Sequence, residues 1–149
     1  MLKNLLTFFE KNEKKIFFLL IVFLLSRATA LLINHSESLE GHVFLLLKGW
    51  SYGVGDIVGI DPHFLKKVGG VEGDKICIKE NEIYVGKTKI GPLFEKNSKG
   101  APLHPLQEKE IPKGKVFVYG THPKSFDSRY LEFGLIPEDQ INGKVIRIF

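Results

Sequence analysis

A chain of 149 residues is long enough for one domain with a real core and too short for two substantial ones. Its net charge of +4 comes with lysines scattered from Lys3 to Lys144 and no aromatic-basic stripe, which argues against a nucleic-acid partner. The single cysteine, Cys77, cannot form an intramolecular disulfide and sits between Ile76 and Ile78 like a small buried apolar residue, so the redox compartment stays open.

The first fifteen residues end in LLTFFEKNEKK, apolar in its first half and charged in its second, and read as a short cytoplasmic or interfacial helix. From Ile16 to Ile33 follows IFFLLIVFLLSRATALLI, which as one helix would measure about 27 Å against a hydrocarbon core of roughly 30 Å. Arg27 costs about 2.5 to 3.5 kcal/mol near a helix centre, whereas the Leu, Ile, Phe and Val residues together return roughly 4 to 8 kcal/mol. A transmembrane anchor over 16–33 is therefore expected. Lys11, Lys14 and Lys15 would hold its near end in the cytoplasm and send residues 34–149 to the outer face as one extracytoplasmic domain. The same run also admits a cleavable signal peptide with its site at Ala28-Thr29-Ala30, so retention of residues 1–30 stays open.

Beyond Ile33 the texture changes to short β-rich runs broken by glycine. Val43–Leu47, Asp56–Ile60, Phe64–Val68, Lys75–Lys79, Glu82–Val85, Lys115–Tyr119 and Lys144–Ile148 all read as strands. Their spacing predicts a mainly β fold, a compact antiparallel barrel or sandwich. Lys79-Glu80-Asn81-Glu82 reads as a hairpin turn, and Gly91 to Pro112, with four prolines, as an irregular excursion.

Ser36 and Ser38 follow the apolar run one residue apart, and in an extended segment both hydroxyls would face one side. Taken alone, such a pair most often solvates a turn. A serine nucleophile needs a base, and His35, His42, His63, His104 and His122 show neither a triad pattern nor zinc-ligand spacing. Lysine is the other candidate base, provided that burial depresses its pKa. Strand alternation puts Lys66 beside Phe64 and Val68, and Lys67 beside Leu65 and Gly69, which favours Lys66 as the buried one.

Ser36-x-Ser38, Gly55-Asp56-Ile57-Val58, the stretch from Lys66 to Asp74, and Gly120 with Ser125-Phe126-Asp127-Ser128-Arg129-Tyr130 and Gly134 occur in an order that resembles the boxes of type I signal peptidases. The likeness runs from about Asn34 to Ile148. It implies the signal peptidase type of β fold and a membrane-anchored serine endopeptidase that needs no cofactor or metal and cuts exported precursors at the outer face of the cytoplasmic membrane. Carried over by position, it makes Ser38 the nucleophile, Lys66 the general base and Ser36 an oxyanion donor beside the Ser38 N–H. Ser125 would orient the lysine, and Asp127 and Arg129 would brace it and its loop. Were that acid–base pair instead exposed in a turn, it would be worth at most about 1 kcal/mol. Glu40, Glu72 and the Gly120-Thr121-His122-Pro123 start depart from the family's usual residues. The short chain, Ser38-Leu39 after the anchor and the Ser-Phe-Asp-Ser-Arg-Tyr stretch look most like the TraF-type peptidases of conjugative transfer, which mature a pilin. Two alternatives stay open: a general signal peptidase, and a non-catalytic membrane-tethered β-module that binds a secretion partner.

Overall fold

A computed structural model describes residues 2–61 and 64–149 of the protein. His63, read without a site role, lies outside the described residues. Among the described residues helix α1 (Leu2–Ala28) leads into eleven strands: β1 (Thr29–Ile33), β2 (Val43–Lys48), β3 (Ile57–Asp61), β4 (Phe64–Gly70), β5 (Lys75–Lys79), β6 (Glu82–Val85), β7 (Thr88–Pro92), β8 (Lys109–Glu110), β9 (Lys115–Tyr119), β10 (Ile136–Pro137) and β11 (Gly143–Arg147). A 3-10 turn, Glu138–Gln140, precedes β11. The strands form a seven-stranded sheet in the order β1-β2-β11-β3-β4-β9-β10 and a four-stranded sheet in the order β7-β6-β5-β8, with every pairing antiparallel. The fold is mainly β, as the spacing of apolar runs predicted.

Strand β9 explains how the two sheets share one interior. Its run Val116-Phe117-Val118-Tyr119 is apolar at every position, the pattern of a strand covered on both faces. Val116 and Val118 join Val58, Val68 and Ile136 in one cluster, while Phe117 and Tyr119 join Ile76, Ile83, Val85 and Ile111 in another. The β5–β6 hairpin closes through Glu80 and Asn81, both with positive φ (50° and 62°), the backbone of a type I′ turn that matches strand twist. The excursion from Gly91 to Pro112 is largely irregular, as expected, but Leu93, Leu103, Leu106 and Ile111 bury their side chains over the core of the smaller sheet.

The apolar N-terminal run differs from the expected single span. The helix stops at Ala28, and Thr29 to Ile33 turn into strand β1, paired with β2 from Thr29–Leu47 to Ile33–Val43. The reason is competition for the same backbone groups. Ala30 and Leu32 pack against the cluster of Leu39, Phe44, Leu46, Leu65 and Val145, and a β ladder satisfies the amides that a continued helix would have bonded internally. Between Lys15 and Arg27 the helix keeps only eleven uncharged residues, about 17 Å of length. No described helix is long and apolar enough to cross a membrane. The segment from Phe17 to Leu25 nonetheless exposes every side chain.

Candidate active site

The site forms where β4, the β1–β2 connection and the loop after β9 meet. Lys66 lies in β4 opposite Val58 of β3, on the same face as Val68, and its side chain enters the interior with only 3% exposure. Its Nζ donates to Ser125 Oγ (2.9 Å) and to the Phe126 carbonyl (3.1 Å), and lies 5.9 Å from the centre of the Phe133 ring. Burial pushes the Lys66 pKa below its ordinary value of 10.5; the Asp127 carboxylate partly opposes that shift and the Arg129 guanidinium adds to it. Lys67, one residue on, is half-exposed.

Ser125 to Arg129 form a loop knitted by one buried ion pair. Asp127 and Arg129 are 0% and 1% exposed, and Arg129 grips the carboxylate with two nitrogens, Nε to Oδ1 and Nη2 to Oδ2, both at 2.8 Å. The exposed ion pair considered from the sequence is thus absent. Arg129 also donates to the carbonyls of Pro92, Pro123, His122 and Ser125, so one side chain holds both ends of the loop. Asp127 Oδ2 in turn accepts the Gly120 N–H at 2.9 Å. Ser128, not singled out in the sequence, is fully buried; its hydroxyl accepts the Val118 N–H and its own N–H returns to the Val118 carbonyl.

Ser36 and Ser38 are not in an extended strand. The chain from Asn34 to Gly41 is irregular with a turn at Glu37–Ser38, so the shared-face argument does not apply. A hydrogen bond brings the two serines together instead: the Ser38 N–H donates to Ser36 Oγ at 3.0 Å. The Ser38 carbonyl accepts from the His122 N–H and from Thr121 Oγ1, both at 3.4 Å, which ties this loop to the Gly120 end of the other. Gly120 is the wedge between them. A Cβ there would meet Ser125 Oγ and, at 2.7 Å, the Ser38 carbonyl oxygen, so only glycine lets the two loops close to this extent. Among the described residues no hydrogen bond joins Lys66 to Ser38; the lysine is held by Ser125 and Phe126.

The remaining sequence candidates fall outside this centre. The Glu40 side chain is 91% exposed and approaches Arg147 Nη1 at 3.8 Å, and Glu72 is exposed in a turn. Neither intrudes on the serines or the lysine. His104 pairs with Glu132, and the His122 ring takes the Lys124 N–H. Asp56 and Asp74, from two boxes of the resemblance, shape turns by accepting the N–H groups of Gly53 and Val71. Among the described residues no cluster of His, Cys, Asp and Glu could hold a metal ion. Sequence reading missed the Phe133 ring over the ammonium and the buried side chain of Asn34 beneath the serine loop; neither stands in a motif that would have drawn attention to it.

Comparison with known proteins bears on the family of the chain. The model of the family described as signal peptidase, peptidase S26, matches residues 14–149. Signal peptidase IB of Staphylococcus aureus (strain N315) is 39% identical over 98 residues, covering 55% of this chain and 50% of that protein. Signal peptidase I T of Bacillus subtilis (strain 168) is 34% identical over 102 residues, covering 60% and 52%. The chain thus spans about half the length of the curated relatives it matches. A crystal structure of a signal peptidase I from Enterococcus faecalis V583 aligns with TM-score 0.41 and 20% identity over 63% of this chain and 96% of that one. With the family model covering all but the first residues of α1, the chain belongs to the signal peptidase family S26.

Proposed function

We propose that this protein is a membrane-attached serine endopeptidase with a Ser38/Lys66 dyad that cleaves precursor proteins after small residues. The observation that carries the reading is the Lys66 amine, buried, depressed in pKa and held by Ser125 at a glycine-mediated contact with the Ser38 loop. In the neutral state Lys66 takes the proton of Ser38 Oγ as that oxygen attacks the scissile carbonyl. The developing oxyanion draws on the Ser38 N–H and the Ser36 hydroxyl. The protonated lysine returns its proton to the leaving amine, and water, deprotonated by the same lysine, then cleaves the acyl-enzyme. Because Ser36 and the Ser38 N–H are bonded to each other in the free protein, an incoming oxyanion takes over a donor that is already in place.

Attachment to the bilayer is supported by apolar surface that water does not favour. Helix α1 is apolar all round from Phe17 to Leu25, and Leu31 and Ile33 of β1, Ile146 of β11, and Ile148 and Phe149 just past β11 are exposed as well. Lys11, Lys14 and Lys15 favour the cytoplasmic side for the start of this helix and the outer face for the catalytic domain. A narrower substrate, a pilin precursor of a conjugative transfer system, rests on Ser38-Leu39 and the Ser125–Tyr130 stretch. The test is precursor cleavage in membranes with Ser38→Ala and Lys66→Ala: both should abolish it while expression is unchanged, and full activity of either variant refutes the dyad. Pilin processing in a strain lacking the protein separates the narrower substrate from general secretory precursors.

A further inference from the structure

We infer that Asn34 is a positioning residue that builds the nucleophile loop and, through it, the oxyanion donors. The inference rests on the dyad reading above. Asn34 follows β1 directly, and its backbone N–H closes the mouth of the loop on the His42 carbonyl at 2.8 Å. Its side chain, on a residue 8% exposed, then fills the loop from below. Oδ1 accepts the Ser36 N–H at 3.0 Å, while Nδ2 faces the carbonyls of Ser36 (3.0 Å), Leu39 (3.1 Å) and Gly41 (3.1 Å). One N–H donor at one end and three carbonyl acceptors at the other settle which end of the amide is nitrogen.

Ser38 therefore sits between two stretches of backbone tied to a single buried amide. Leu39 is drawn into the core cluster of Phe44 and Leu46, and Ser36 is held where its Oγ meets the Ser38 N–H. No other side chain of this size meets the same demands. Aspartate would set a carboxylate against three carbonyl oxygens, leucine would leave the Ser36 N–H and the carbonyls unpartnered, and glutamine is a methylene too long. A group that fixes reacting atoms without touching substrate should act on turnover more than on binding.

The test uses the full chain in membranes or detergent and a fluorogenic peptide with alanine before the cut. Asn34→Ala should lower kcat roughly a hundredfold with KM changed by less than about threefold, in protein whose unfolding transition shows it to be folded. Asn34→Asp should be similarly impaired at neutral pH. Its activity relative to the parent should climb as pH falls into the carboxyl range, because a protonated carboxyl restores one donor to the carbonyls. Folded Asn34 variants with kcat within about twofold of the parent would overturn the inference, as would a loss accounted for wholly by a smaller folded fraction. So would failure of both variants to fold, which would assign Asn34 to the fold alone. Ser38→Ala is measured alongside: if it stays active, it is the dyad that fails, whatever the Asn34 variants do.

Discussion

Removing the Asp127 carboxylate should cost stability far beyond what an ion pair in a turn can give. In Asp127→Ala the Arg129 guanidinium, 1% exposed, loses the one charged partner it has among the described residues, and the buried Gly120 N–H loses its acceptor. Breaking a buried pair from one side costs about 3 to 5 kcal/mol, and the orphaned amide favours the upper part of that range. For a chain of this size each kcal/mol lowers Tm by roughly 2 to 4 °C, so the variant should melt roughly 6 to 20 °C below the parent. Circular dichroism during thermal unfolding, or urea titration, reads the difference. The double variant Asp127→Leu/Arg129→Met should recover part of the loss, because no charge is then left buried without a partner. A deficit below about 1 kcal/mol in Asp127→Ala, the size of an exposed pair, would refute the claim that this pair anchors the loop.

Gly120→Ala should fold with a displaced Ser125 or Ser38 loop and lose most cleavage activity, since the new methyl meets Ser125 Oγ and the Ser38 carbonyl; activity close to the parent's in a peptide assay would contradict the wedge. Ser36→Ala should reduce kcat by roughly 10² to 10³, the usual loss for one oxyanion donor, with little change in Tm. Because Lys66 titrates below 10.5, kcat/KM should rise with pH and level off before that value; a rate still climbing past it would argue against Lys66 as the base. The same shift affects stability. Between the folded pKa and 10.5 the unfolded chain holds the extra proton, so stability increases with pH across that window, and Lys66→Met should remove this increment from the measured pH dependence.

Seven runs with strand character were legible because alternation or continuous apolarity marks a strand whatever it pairs with. The four strands that were not are short or disguised. Strands β8 and β10 have two residues each, β7 ends in Gly91-Pro92, and β1 was absorbed into an apolar run that hydropathy alone reads as helix. Local composition cannot tell helix from strand in a segment such as Thr29–Ile33. The arbiter is a partner, β2, whose register with β1 is set by tertiary pairing.

The site divides along the same line. The candidate nucleophile, base and bracing residues came from the resemblance to the ordered boxes of type I signal peptidases, and only the preference for Lys66 over Lys67 followed from strand alternation. Position in the chain carries residue identity and phase, and both survive without coordinates. Long-range contact does not. Only the folded chain decided that Asp127 and Arg129 are buried, that Glu40 points into solvent, that Gly120 separates two loops, and that one buried amide, Asn34, gathers four backbone groups beneath Ser38. Each of these depends on which surfaces meet once the two sheets close on β9, and closing contacts between residues as far apart as 38 and 121 are not written in any local pattern.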